Sequence, residues 1–142
     1  MIAIDTSILI DLLGDDVRAD AAEACLRLAL SAGPVVVCDV VVSEVTAGLG
    51  HGSEVMDVLE EMGLSFLPLD RRAAIRAGEM QRKYKQRLRE NGSASSAAAQ
   101  RTIPDFLVGA HAMLQCEALI TRDDGFFRDY FKGLKVITPT LT

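Results

Sequence analysis

The chain has 142 residues, 49% of them hydrophobic and 25% charged, with a net charge of −5. That is the length of one domain, with enough apolar surface for a core, and it excludes a disordered chain. Tryptophan is absent and aromatic residues reach only 5%, which argues against a stacking platform for bases. The cysteines Cys25, Cys38 and Cys116 form no CxxC pair, and an odd number does not suit a secreted disulfide scaffold. No apolar run approaches the roughly 20 residues of a membrane span. The opening residues 1–13 contain Asp5 and Asp11 but no basic stretch, unlike a secretory leader. The expectation is a cytoplasmic protein that touches no membrane.

Residues 1–4 form a short apolar run that ends at Asp5, and Ile8, Leu9, Leu12 and Leu13 then recur at helical spacing. Residues 20–32 are rich in alanine and leucine and predict a helix that stops at Gly33-Pro34. Val35, Val36 and Val37 are a β-branched run of the kind buried in parallel sheets. Asp39 is placed to cap a helix running to about Gly48. A further helix over 53–62 should stop at Gly63 and lead into a strand over 64–67. Pro68 and Asp70 then open a long basic helix.

The polar stretch 91–100, NGSASSAAAQ, predicts a loop. Pro104 suits the first turn of a helix reaching about Cys116. A strand over 118–121, a brief helix over 125–130 and a last strand over 136–138 complete the chain. Strands alternating with helices predict an α/β domain with a mostly parallel sheet spanning 1–142, without repeats or an interdomain linker.

The charge is unevenly placed. Between Arg71 and Glu90 eight basic groups face two acidic ones, so that segment carries +6 and the remainder −11. Such a split suggests one surface that attracts a polyanion and another that concentrates carboxylates. In the basic helix Ala73, Ala74, Ile75, Ala77, Met80, Tyr84 and Leu88 are expected to form the docking stripe. Arg82, Lys83, Arg87 and Arg89 then point outward as candidates for contact with a polyanion's phosphates, with protein contact or plain solvation as the alternatives.

Sites in open parallel sheets form beyond the carboxyl ends of the strands. Asp5 ends the first strand there, Glu44 lies in the helix after the valine run, Asp105 starts a helix, and Asp123 follows the strand ending at Thr121. Two carboxylates roughly 5 Å apart repel by about 3 kcal/mol at an effective dielectric near 20. A divalent cation cancels that repulsion, and an all-oxygen set suits Mg²⁺ or Mn²⁺ better than zinc. Each acid also has a plainer reading: Asp5 and Asp123 as turn-formers, Asp105 as a helix-start charge.

The ordered set Ile4-Asp5-Thr6-Ser7, Ser43-Glu44-Val45, Asp105-Phe106-Leu107-Val108-Gly109-Ala110-His111-Ala112 and Ile120-Thr121-Arg122-Asp123 resembles the signatures of PIN-domain ribonucleases. The tail Gly125-Phe126-Phe127 through Tyr130-Phe131 and Leu134-Lys135-Val136 is similar to VapC-type toxins, so the resemblance covers essentially the whole chain. It implies a three-layer α/β/α fold and a metal-dependent endoribonuclease acting as the toxin of a toxin–antitoxin module. Asp5, Glu44, Asp105 and Asp123 fall at the family's catalytic positions, with Asp5, Asp105 and Asp123 as ligands of Mg²⁺ or Mn²⁺. Thr6 and Thr121 match hydroxyl positions that orient carboxylates or bound water. The resemblance also implies an RNA substrate, a cognate antitoxin and a homodimer. Asp124 is an extra acid expected to face solvent.

Other residues read more plainly. His111 sits in an almost wholly apolar helix and is expected to be a satisfied core histidine, whereas His51, between two glycines, is expected to be exposed. No Cys/His pair has zinc spacing, and Cys25 and Cys116 look like small buried hydrophobes. A non-toxin PIN nuclease in RNA processing or repair, and a catalytically inactive binding module, remain the competing readings. A phosphoacceptor receiver domain fits less well, since it expects a pair of acids after the first strand and a lysine after the last.

Overall fold

A computed structural model describes residues 1–14, 17–91 and 101–140. Its five strands are β1 (Ile2–Ile4), β2 (Val35–Val37), β3 (Leu64–Phe66), β4 (Ala118–Ile120) and β5 (Lys135–Ile137). The helices are α1 (Thr6–Leu13), α2 (Arg18–Ala32), α3 (Asp39–Leu49), α4 (Gly52–Glu61), α5 (Arg71–Glu90), α6 (Ile103–Gln115) and α7 (Asp124–Tyr130). The strands form one sheet in the order β3-β2-β1-β4-β5, and every pairing is parallel.

That order positions the site. From β1 the chain moves outward through β2 to β3, then crosses back to β4 on the other side of β1. Right-handed crossovers that run in opposite directions put their helices on opposite faces of the sheet, giving the three-layer α/β/α arrangement. All residues of β2 and β4 are buried, as strands covered on both faces must be. The order reverses between β1 and β4, and the crevice beyond their carboxyl ends is where ligands bind in such sheets. Asp5 and Thr121 are the first residues past those two ends.

Several boundaries differ from the sequence expectations. Asp39 does not cap α3; it is that helix's first residue, and its carboxylate accepts from the amides of Val40 and Leu69, both at 3.2 Å. The helix continues to Leu49 and ends on Gly50, whose φ of 83° is the left-handed conformation that glycine adopts without steric cost. Lys135 belongs to β5 and does not precede it. The expected loop 91–100 lies outside the described residues apart from Asn91, which ends α5. No described helix is long and apolar enough to cross a membrane.

Helix α5 starts at Asp70, whose side chain accepts from the amide of Ala73 at 2.8 Å. Its buried stripe is Ala73, Ala77, Met80 and Tyr84, which pack towards α6. Ala74 and Ile75 fall off that stripe, and Ile75 is 59% exposed. A helix advances about 100° per residue, so positions adjacent to Ala73 cannot share its face. Six aromatic side chains gather at the junction of α5, α6 and α7, with Phe106 meeting Phe126 edge-on at 5.2 Å and Tyr130 at 6.1 Å.

Candidate functional site

Asp5 sits where β1 gives way to α1. Its Oδ1 accepts from the amide of Thr6 at 2.9 Å, while its Oδ2 accepts from the hydroxyls of Thr121 at 2.7 Å and Ser7 at 3.1 Å. Asp5 is therefore a helix cap and something more, because a cap uses one oxygen and here both are aimed. Burial pushes its carboxyl above the usual range, the three donors pull it back, and the charge of Asp105 adds to the rise.

Thr121 links two strands at this point. It is fully buried, donates to Asp5 and accepts from the backbone amide of Asp123 at 3.0 Å. A single hydroxyl thus fixes the end of β1 against the turn after β4. Thr6 does the corresponding work on the other side, donating at 2.8 Å to Oε1 of Glu44 on α3. Glu44 lies on an exposed face, yet its carboxyl is raised by desolvation and then by the charges of Asp5 and Asp105, against the lowering effect of the Thr6 hydrogen bond. Asp5, Glu44 and Asp105 thus share one electrostatic neighbourhood.

Asp105 lies in the first turn of α6, where it is the helix-start charge expected. Its carboxylate accepts from the amide of Thr102 at 3.2 Å, completing a capping box with Thr102. The same carboxylate bears electrostatically on Asp5 and Glu44. Pro104 lies in the first turn of the helix, where its missing N–H costs nothing.

Asp123 is held differently. Both of its oxygens are taken by the guanidinium of Arg101, Nη1 to Oδ2 and Nη2 to Oδ1, the second at 3.1 Å. Arg101 also lies over the ring of Phe126 at 4.6 Å, and its backbone amide donates to the hydroxyl of Tyr84 at 2.8 Å. Hydrogen bonding to Asp123 raises the pKa of Arg101, and the charge of Asp105 contributes. Among the described residues no three of His, Cys, Asp and Glu are spaced to hold a metal ion.

Sequence reasoning missed Arg101, because an arginine one residue before a helix cap carries no motif. It also missed Arg122, whose Nε pairs at 2.6 Å with Asp11, a residue only 3% exposed on α1. The backbone amide of Arg122 donates to the Ser7 hydroxyl at 3.3 Å. Arg122 therefore clamps α1 to the β4 turn and holds the floor of the site in place. No local pattern marks a pairing across 111 positions, since it depends on β1 and β4 being neighbours.

The remaining candidates fall as follows. His111 is buried, its Nε2 lies 2.9 Å from the carbonyl oxygen of Leu67, and burial lowers its pKa, so it is the satisfied core histidine expected. His51 is exposed. Asp124, its side chain half exposed, pairs with Arg128 at 3.5 Å within α7. Cys25 and Cys116 are only partly buried, whereas Cys38, next to the end of β2, is the buried cysteine. Lys83 and Arg87 lie on one side of α5, Arg82 and Arg89 on another.

A family model described as PIN domain matches residues 2–132. Among solved structures, VapBC2 from Rickettsia felis bound to a DNA fragment from its promoter aligns at a TM-score of 0.73 with 16% identity, covering 97% of this chain and 98% of that one. A toxin–antitoxin complex from Klebsiella pneumoniae aligns at 0.62 with 23% identity over 100% of both chains. VapC20 from Mycobacterium tuberculosis, a toxin that cleaves the sarcin–ricin loop, aligns at 0.55 with 16% identity over 95% and 99%. At these identities the likeness is one of fold. No curated protein matches the chain.

Proposed function

Because the chain belongs to the PIN-domain family, we propose that it is a metal-dependent endoribonuclease, the toxin of a toxin–antitoxin pair, with its acidic centre at Asp5, Glu44, Asp105 and Asp123. The observation that carries this reading is the state of Asp5. It is a desolvated carboxylate at the crevice where the strand order reverses, aimed by Thr6, Ser7 and Thr121, with the charge of Asp105 raising its proton affinity further. A carboxylate that served only as a cap would gain nothing from a second acid at its side.

The donor chemistry suits Mg²⁺ or Mn²⁺, since every candidate ligand is a carboxylate oxygen. Asp5 and Asp105 would hold the ion, and Asp123 would join them on release from Arg101. Bound there, the ion would activate water and draw charge from a phosphodiester. The protein's part is to aim the oxygens. Thr121 sets the rotamer of Asp5 and the backbone of Asp123 together. Glu44, tethered through Thr6, has a raised proton affinity that suits a base for the attacking water.

The toxin assignment draws support from the similar structures, two of which are described as complexes of toxin with antitoxin or promoter DNA. An apolar groove formed by Ile10, Leu13, Val45 and Leu49 opens beside Glu44, a setting in which an antitoxin segment could cover the site. Incubation of the purified protein with RNA in Mg²⁺, Mn²⁺ or EDTA tests the activity. Cleavage leaving a 5′-phosphate and a 3′-hydroxyl is expected with either metal and should stop in EDTA. Undiminished cleavage in excess chelator would refute the metal mechanism.

A further inference from the structure

The basic helix α5 does not present one cationic face but two. Arg76, Lys83 and Arg87 open with Lys132 onto a groove of about 270 Å³ floored by Met80 and Met113. Arg82, Lys85 and Arg89 line a separate hollow of similar size, about 310 Å³, with Gly78 and Gln81. Helical geometry separates them, since residues three or four apart share a face and these two sets interleave.

Among the described residues, side-chain contacts link the first groove to Asp123. The guanidinium of Arg87 lies 5.0 Å from the ring centroid of Tyr130, which also lines that groove. The Tyr130 ring is 5.4 Å from that of Phe126, and Arg101 stacks on Phe126 at 4.6 Å while gripping Asp123. Cations and rings therefore continue from Asp123 to the middle of α5. Among the described residues, Asp129 is the one acid in the groove lining, against four cations.

We infer that a single strand of RNA leaves the acidic centre along this track, its phosphates passing from Arg101 to Arg87, Lys83 and Lys132, while the outer stripe of Arg82, Lys85 and Arg89 takes no part. The inference rests on the nuclease reading above and gives it a substrate path. Cations spaced along a groove match a polyanion, and guanidinium groups grip phosphate oxygens two at a time. The Tyr130 face is covered by Arg87, so the track offers no open ring to a base. It therefore contacts backbone without reading sequence. The apolar floor is small, with Met80 only 8% exposed, which gives a protein partner little to anchor on.

The test is fluorescence anisotropy with a short unstructured RNA in EDTA, so that binding is read without cleavage, over a series of salt concentrations. The double variant Lys83→Gln/Arg87→Gln should bind about tenfold more weakly and lose about 1.4 from the slope of log K against log salt, at about 0.7 per phosphate contact. Arg82→Gln/Arg89→Gln should stay within about twofold of wild type with the slope unchanged. Lys132→Gln, which lies outside the helix, should also weaken binding and guards against a local change in α5. Equal losses from the two double variants, or a larger loss from the outer pair, would overturn the path. RNA binding untouched by the groove variants would assign the groove to a protein partner or to solvent, and overturn the path alone. A wild type that binds no RNA, in EDTA or with Ca²⁺ in its place, would overturn the path and the ribonuclease reading together.

Discussion

Arg101 holds both carboxylate oxygens of Asp123, so an acid at the candidate metal centre is neutralised by an arginine from the same chain. The pair is about one-third exposed on each side, at 32% and 37%, so its net contribution to stability is modest, about 1 kcal/mol or less. That is small enough for a divalent cation to displace it.

Arg101→Gln should therefore tighten Mn²⁺ binding by up to about fivefold, the equivalent of about 1 kcal/mol. Calorimetric titration of the two proteins with Mn²⁺ measures this directly. A variant that binds Mn²⁺ more weakly than wild type would show that Arg101 supports the metal centre and does not compete with it.

Asp5→Asn should abolish cleavage while leaving the fold as stable as before or more so, by up to about 1 kcal/mol at neutral pH. The sign follows from the raised pKa of Asp5. When the folded protein holds a proton more tightly than the unfolded chain, stability is greatest below the unfolded value near 3.8. It falls as pH rises from there to the folded pKa, and is level above it. Melting curves from pH 3 upward should show wild type losing ground to Asp5→Asn across that window, with a constant gap beyond. Parallel curves at every pH would remove the argument that Asp5 is strained by its neighbours.

Thr121→Val keeps the shape of a fully buried side chain and deletes its hydroxyl. Asp5 loses a donor and the amide of Asp123 loses its acceptor. The expected cost is about 1–3 kcal/mol of stability, with a fall of about 10–100-fold in metal affinity or activity, the usual effect of losing an orienting partner. Thr121→Ser, which retains the hydroxyl, should recover most of both. Chemical denaturation and Mn²⁺ titration together separate this from a packing defect.

Gly109→Ala tests the aromatic junction that supports the start of α6. A methyl group at this position would overlap the ring of Phe131, which is 1% exposed and packed against Phe106 and Phe127. The ring cannot swing clear, so a loss of about 1–3 kcal/mol is expected, typical of overpacking. An unchanged melting temperature would mean that the junction is looser than its contacts imply.

The sequence alone determined those features that depend on neighbours a few positions apart. The valine run of β2, the Asp70 cap of α5 and the Pro104 start of α6 are local: each follows from side-chain shape or from one hydrogen bond within a turn. The α/β class followed from their alternation. Asp5 and Asp105 were legible as candidates because they stand at a strand end and in the first turn of a helix, and Glu44 because it lies in the helix after the valine run. Tertiary structure decided the rest. Asp105 acts on Asp5 across 100 positions because α6 packs on β1, while Thr121 bonds to Asp5 across 116 and Arg122 pairs with Asp11 across 111 because β4 lies against β1. The capture of Asp123 by Arg101 and the division of α5 into an inner and an outer basic stripe likewise depend on where α6 and α7 pack. Helical periodicity placed Arg82, Lys83, Arg87 and Arg89 away from the core, but it could not say which of them share a groove with Tyr130 and Lys132, because a period carries no information about the neighbour on the far side.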